Sequence, residues 1–103
     1  MKYLMMIGLC AILNNRYAVR SNRESGLGRF DIQLSPMEKD LPGLIFELKA
    51  SKKSSESLDK LAQDALRQIE EKRYETEMRA AGIQEILKIG MAFRGKEIAV
   101  RTE

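Results

Sequence analysis

Histidine is absent from the 103 residues, and cysteine occurs once, at Cys10. Without an imidazole there is no Ser-His-Asp triad, no histidine general base and no imidazole ligand for a metal. A single thiol excludes a disulfide within the chain and any cysteine-rich zinc site, and its place in an apolar run marks it as a core residue. Any catalytic metal must be held by oxygen, which favours Mg2+ or Mn2+. No G-x-x-x-x-G-K-[ST] occurs, so the chain is not itself an ATPase, and Gly26-x-Gly28 is too short for a phosphate loop and serves a turn. Charge of one sign is scarce as well: 18 Lys+Arg against 15 Asp+Glu leave +3, too little to name nucleic acid as the partner.

Long hydrophobic runs are missing too. Met1 to Leu13 is mostly apolar, but at about a dozen residues it falls short of the ~20 needed to cross a bilayer. Asn14-Asn15-Arg16 stand where a secretory signal wants small residues at its cleavage site. The run reads as a buried helix of a cytoplasmic protein. Being apolar nearly all round, it must be covered on several sides, by a homodimer contact or a neighbouring domain. Without repeats, low-complexity tracts or a dividing linker, residues 1–103 form a single domain with one modest core.

The remaining elements follow from periodicity and breakers. A strand from Tyr17 to Ser21 leads into a turn over Asn22 to Gly28, then a strand from Arg29 to Ser35. Pro36 and Pro42 confine the strands that they flank, and the third strand runs from Gly43 to Ala50. Leu58, Leu61, Ala62, Ala65, Leu66 and Ile69 recur at helical spacing, predicting one long amphipathic helix from about Glu56 to Ala80, stopped by Gly82 as a C-terminal cap. Strands over Glu85 to Arg94 and Glu97 to Thr102 flank a two-residue hairpin turn at Gly95-Lys96. The fold class is α/β, a mixed sheet with flanking helices in the order α-β-β-β-α-β-β.

Strand alternation organises the charged residues. Leu44, Phe46 and Leu48 project to one side and Glu47 and Lys49 to the other; likewise Phe30, Ile32 and Leu34 turn inward while Arg29, Asp31 and Gln33 turn outward. If the two strands pair, Asp31, Glu47 and Lys49 converge. Two carboxylates that close repel unless a cation compensates, and the Leu48 carbonyl could add a neutral oxygen ligand. Such a site suits cutting a phosphodiester, with Lys49 stabilising charge on the phosphate or holding the attacking water. The same spacing also fits a solvated sheet face with an ordinary ion pair. Arg16, Arg20, Arg23 and Arg29 with a single acid, Glu24, make the segment before Asp31 basic, suited to phosphate contacts. Lys52, after the third strand, could join them. Gln68 lies roughly 80° from the centre of the apolar stripe, at the edge of the buried face. Tyr74 falls well away from it, a packing or stacking candidate only.

Three segments together resemble a known family: Arg20-Ser21-Asn22-Arg23-Glu24-Ser25-Gly26-Leu27-Gly28-Arg29-Phe30-Asp31-Ile32, Phe46-Glu47-Leu48-Lys49, and Ala65-Leu66-Arg67-Gln68-Ile69 through Tyr74. The chain is similar, from Leu4 onward, to the PD-(D/E)XK nuclease superfamily, most closely the nuclease-like domain found behind AAA-ATPase-like domains in bacterial proteins. The resemblance implies a restriction-endonuclease-like core acting on DNA with Mg2+ or Mn2+. It implies Asp31 and Glu47 as metal ligands, Lys49 at the attacking water, Gln68 in support and Glu24 at an acidic loop position. It also implies an ATPase partner or, alternatively, a catalytically inactive nucleic-acid-binding or interaction module on the same scaffold. Where such domains carry a Tyr-His pair near the first helix, this sequence has Lys2-Tyr3.

Overall fold

A computed structural model describes residues 16–24, 29–38, 40–71 and 74–103. The expectations for the apolar run Met1 to Leu13, for Cys10 and for the glycine turn at Gly26 and Gly28 lie outside these residues. Five strands, β1 (Tyr17–Glu24), β2 (Arg29–Pro36), β3 (Gly43–Ala50), β4 (Ile86–Arg94) and β5 (Glu97–Thr102), form one mixed sheet in the order β1-β2-β3-β4-β5. All neighbours are antiparallel except β3 and β4. A parallel pair requires a crossover, here supplied by α1 (Leu58–Glu71) and α2 (Tyr74–Ala80). The class is the expected α/β. β1 differs from its expected span, pairing with β2 through Glu24↔Arg29 where a turn was expected from Asn22.

One long helix was expected from Glu56 to Ala80; two are observed. The first starts at Leu58 because Ser57 caps it, its hydroxyl accepting from the Lys60 amide at 3.2 Å. The second ends in a Schellman motif: Ile83 N–H donates to the Met78 carbonyl at 3.1 Å and Gly82 N–H to that of Arg79 at 3.0 Å. Gly82 takes φ 95°, a conformation open to glycine at little cost. Ile83 and Met78 share one apolar cluster, the contact that accompanies this cap. Extending the register of α1 at ~100° per residue would turn Tyr74 and Met78 to its far side, roughly 150° and 170° from the apolar stripe. In the structure Met78 is buried and Tyr74 half-buried against the cluster of Ile45, Leu66 and Ile69. A second helix with its own phase is what lets both sets of residues reach the sheet.

Each face of the sheet carries a core. Tyr17, Ile32, Leu34, Phe46, Leu48 and Phe93 cluster on one face. On the other, α1 and α2 cover Ile45, with Leu66, Ile69, Met78 and Ile83 packed against it. Helix α1 lies close against β4 at Gly90, where an added Cβ would stand 2.4 Å from the Ala62 carbonyl oxygen and 2.6 Å from the Leu66 nitrogen. The approach is permitted because Gly90 has no side chain. Between β3 and α1, Ser51 Oγ donates to Glu56 Oε1 at 2.6 Å, and Arg94 Nη1 donates to the carbonyls of Lys53, at 3.0 Å, and Glu56.

No helix among the described residues is long and apolar enough to cross a membrane.

Candidate functional site

The antiparallel register of β2 and β3 sets Asp31 directly opposite Glu47 and Arg29 directly opposite Lys49. Directly opposed residues share a face with Cβ atoms ~4.5–5.5 Å apart, so two acids and two cations make a square on one side of the sheet. That side was expected to be the outward one. Instead, Glu47 is 0% and Asp31 1% exposed, and Gln33 and Lys49 are buried with them. The reason is Ile45, which shares their face and draws α1 and α2 over it. The separation of chemistry on one face from core on the other does not hold: the charged square sits at the margin of a helix-covered core.

Such an arrangement does not recommend itself for stability. Like charges opposed across a strand pair are destabilising, and apolar residues of similar volume commonly match or exceed buried ion pairs. Asp31 Oδ1 and Glu47 Oε2 are buried oxygens that accept no hydrogen bond, while both residues are held by further contacts. Two carboxylates opposed in a buried place carry a local cost of the kind that functional sites display.

Helix α1 brings Gln68 to the square. With its amide oxygen turned toward the cations, Gln68 accepts from Lys49 Nζ at 3.2 Å and from Arg29 Nη2 at 3.0 Å. Its expected position at the edge of the buried face is the observed one. Arg29, expected among nucleic-acid contacts, is thereby tied into the square itself. Helix α2 contributes a residue that the sequence ranked low: Tyr74 Oη donates to Asp31 Oδ2 at 3.3 Å. The signal for Tyr74 was its i, i+4 pairing with Met78, out of phase with the stripe of α1 but in phase with each other.

The other expected residues spread around this centre. Arg20 is exposed on β1 with Nη1 3.6 Å from Glu77 Oε2 of α2. Arg23 and Glu24 lie on β1 opposite Phe30 and Arg29. Lys52 is exposed in the connection after β3, beyond Lys49. The Leu48 side chain is fully buried in the opposite core, its strand paired on both sides. Among the described residues no three His, Cys, Asp or Glu side chains gather as a metal cluster. The donor set is therefore two buried carboxylates, hard oxygen ligands without nitrogen or sulfur, which fits a largely hydrated hard cation.

A second charged group lies further along the helix-covered face. Glu75 Oε1 stands 2.5 Å from Lys88 Nζ on β4 and Oε2 stands 2.7 Å from Arg79 Nη2. The hydrogen bond from Lys88, then that from Arg79, holds the Glu75 carboxyl below its ordinary range, and Glu75 in turn raises the Lys88 ammonium. This pair fastens α2 to the sheet and keeps Tyr74 over Asp31.

No curated protein and no solved structure matches the chain. The model of the PD-(D/E)XK nuclease superfamily matches residues 3–103, a span containing the opposed acids, the lysine two residues after Glu47 and the helical glutamine that meets it. The chain belongs to the PD-(D/E)XK nuclease superfamily.

Proposed function

We propose that the domain hydrolyses phosphodiester bonds of DNA with the help of Mg2+ or Mn2+. The observation that supports this most is the direct opposition of Asp31 and Glu47 on a buried sheet face, with Lys49 on that face and within hydrogen-bond distance of Gln68. Asp31 and Glu47 are the residues that would hold the cation, with the Leu48 carbonyl as a third oxygen. When bound, the metal supplies charge neutralisation at the phosphate and acidifies its water. Lys49 orients the attacking water and offsets charge that grows on the phosphate. Gln68 fixes the rotamer of Lys49, and Tyr74 fixes one oxygen of Asp31. Arg20, Arg23 and Lys52 are the proposed backbone contacts to nucleic acid. Cleavage of plasmid and linear DNA with Mg2+ or Mn2+ tests the reading. The wild type cuts, and Glu47→Ala and Lys49→Ala lose at least a hundredfold in rate, the scale of a removed acid–base or electrostatic group. Equal traces from all three would overturn it.

The burial of both acids favours a second reading, an inactive module on the same scaffold that binds nucleic acid or an AAA-ATPase-like partner. Calorimetric titration with Mn2+ separates the two, since a module of that kind takes up no metal in an Asp31-dependent way.

A further inference from the structure

A cavity of about 380 Å3 lies between β1 and α2, lined by Arg20, Ser21, Asn22, Gln33, Tyr74 and Glu77. A second, of about 330 Å3, shares Arg20, Gln33 and Glu77 and extends the space along the same edge toward Ser35. Its floor is contiguous with the acid site. Asn22 is directly opposite Asp31 in the β1–β2 register, and Tyr74 lines the cavity while donating to Asp31. The lining chemistry is mixed: two amides, a hydroxyl, an aromatic ring, and one guanidinium beside one carboxylate at the rim.

We infer that this cavity is a subsite for one unpaired nucleotide next to the bond that is cut, with Glu77 occupying in the free protein the place of that nucleotide's phosphate on Arg20. The inference rests on the nuclease reading of the Asp31–Glu47 site and adds a strand-binding pocket to it. A space of this size falls at the lower end of the ~300–1,000 Å3 range of small-ligand pockets, enough for one base and sugar and too small for a pair. Asn22 and Gln33 offer donors and acceptors to a base edge, and a base stacks on a tyrosine ring with little regard to its identity. Arg20 and Glu77 are 3.6 Å apart with side chains 72% and 64% exposed. An exposed pair of that kind contributes little, so a phosphate displaces the carboxylate at small cost and gains the arginine.

The test is fluorescence anisotropy of a labelled short oligothymidylate in EDTA, where nothing is cut. Glu77→Gln is expected to tighten binding about two- to fivefold, the range of an exposed ion pair. Arg20→Ala weakens it and flattens the salt dependence by about 0.7, one phosphate contact on a single strand. The double variant binds like Arg20→Ala alone. Asn22→Ala weakens the oligothymidylate but not an abasic strand of the same length. Both Arg20 and Glu77 are exposed, so thermal midpoints should stay near wild type. Unchanged affinity in Glu77→Gln, equal tightening without Arg20, or an equal Asn22→Ala loss on the abasic strand would overturn the subsite. Because binding is read without metal, these shifts persist even if Mn2+ produces no cleavage, an outcome that sinks the nuclease reading alone.

Discussion

Gly90→Ala is the most exacting probe of how the site is assembled. Gly90 stands opposite Glu47 in the β3–β4 register and beneath α1. Among the described residues the positive-φ glycines are Gly82 and Gly95 and not Gly90, so the backbone alone would accept alanine. On that ground the substitution should stabilise by ~0.4–1 kcal/mol through the unfolded chain. The close approach reverses the sign. The new Cβ would meet the Ala62 oxygen at 2.4 Å, the Leu66 nitrogen at 2.6 Å and the Leu66 Cα at 3.1 Å. These are helix backbone atoms that cannot rotate away, so α1 must lift by roughly an ångström at the cost of an overpacked core, about 2–3 kcal/mol. With a urea m-value of ~1.5 kcal/mol/M the midpoint falls by about 1.5–2 M, and Tm by roughly 10–20 °C. The same lift carries Gln68 away from Lys49 and Arg29, whose 3.2 and 3.0 Å contacts would stretch beyond hydrogen-bond range. On the proposed function, loss of DNA cleavage should therefore accompany the loss of stability. A midpoint equal to or above wild type would refute the packing of α1 on β4, and with it the placement of Gln68.

Gly95→Ala supplies the contrast: an added Cβ there meets nothing within 4 Å, but φ is +60°, so the cost is about 1–2 kcal/mol from conformation alone, and urea titration of Gly95→Asn should recover much of it. Ser57→Ala should lose ~1 kcal/mol in the same titration through the cap of α1. Glu75→Gln removes the tie from α2 to Lys88 and should cost about 1 kcal/mol near neutrality. Glu75 has a folded pKa depressed from 4.5, so its contribution is fully present above that value and is lost as pH falls through the folded one. Lys88 is raised from 10.5, so its share is complete below that value and lost as pH climbs through the folded one. The stability gap between wild type and Glu75→Gln should be flat between these limits and close in acid; a gap that widens in acid would contradict the pairing. Tyr74→Phe should cost about 1.5 kcal/mol in the urea titration, the low end for a bond to a carboxylate given its 3.3 Å length.

Much of this was legible in the chain. Pro42 set the start of β3 and Gly95 the β4–β5 hairpin, because a strand cannot continue through a residue that removes a donor or demands positive φ. Period-two alternation put Asp31 with Gln33 and Glu47 with Lys49, and helical periodicity left Gln68 at the rim of α1, where it is observed. Two things were not legible for local reasons. The division of one expected helix into α1 and α2 depends on Met78 and Tyr74 finding the cluster around Ile45, a contact between residues about thirty positions apart. The burial of Asp31 and Glu47 depends on which face the helices choose, and Ile45, lying between Leu44 and Phe46, made both faces of β3 apolar at that end.

Periodicity and covalent geometry therefore gave from sequence alone the strands β2 to β5, the apolar stripe of α1 and which residues travel together on a strand, since those are properties of a backbone and its nearest neighbours. Register and layering belonged to the tertiary structure. Only strand pairing could set Asp31 against Glu47, and only a glycine beneath α1 could bring Gln68 down to Lys49, because both depend on close packing between segments far apart in the chain.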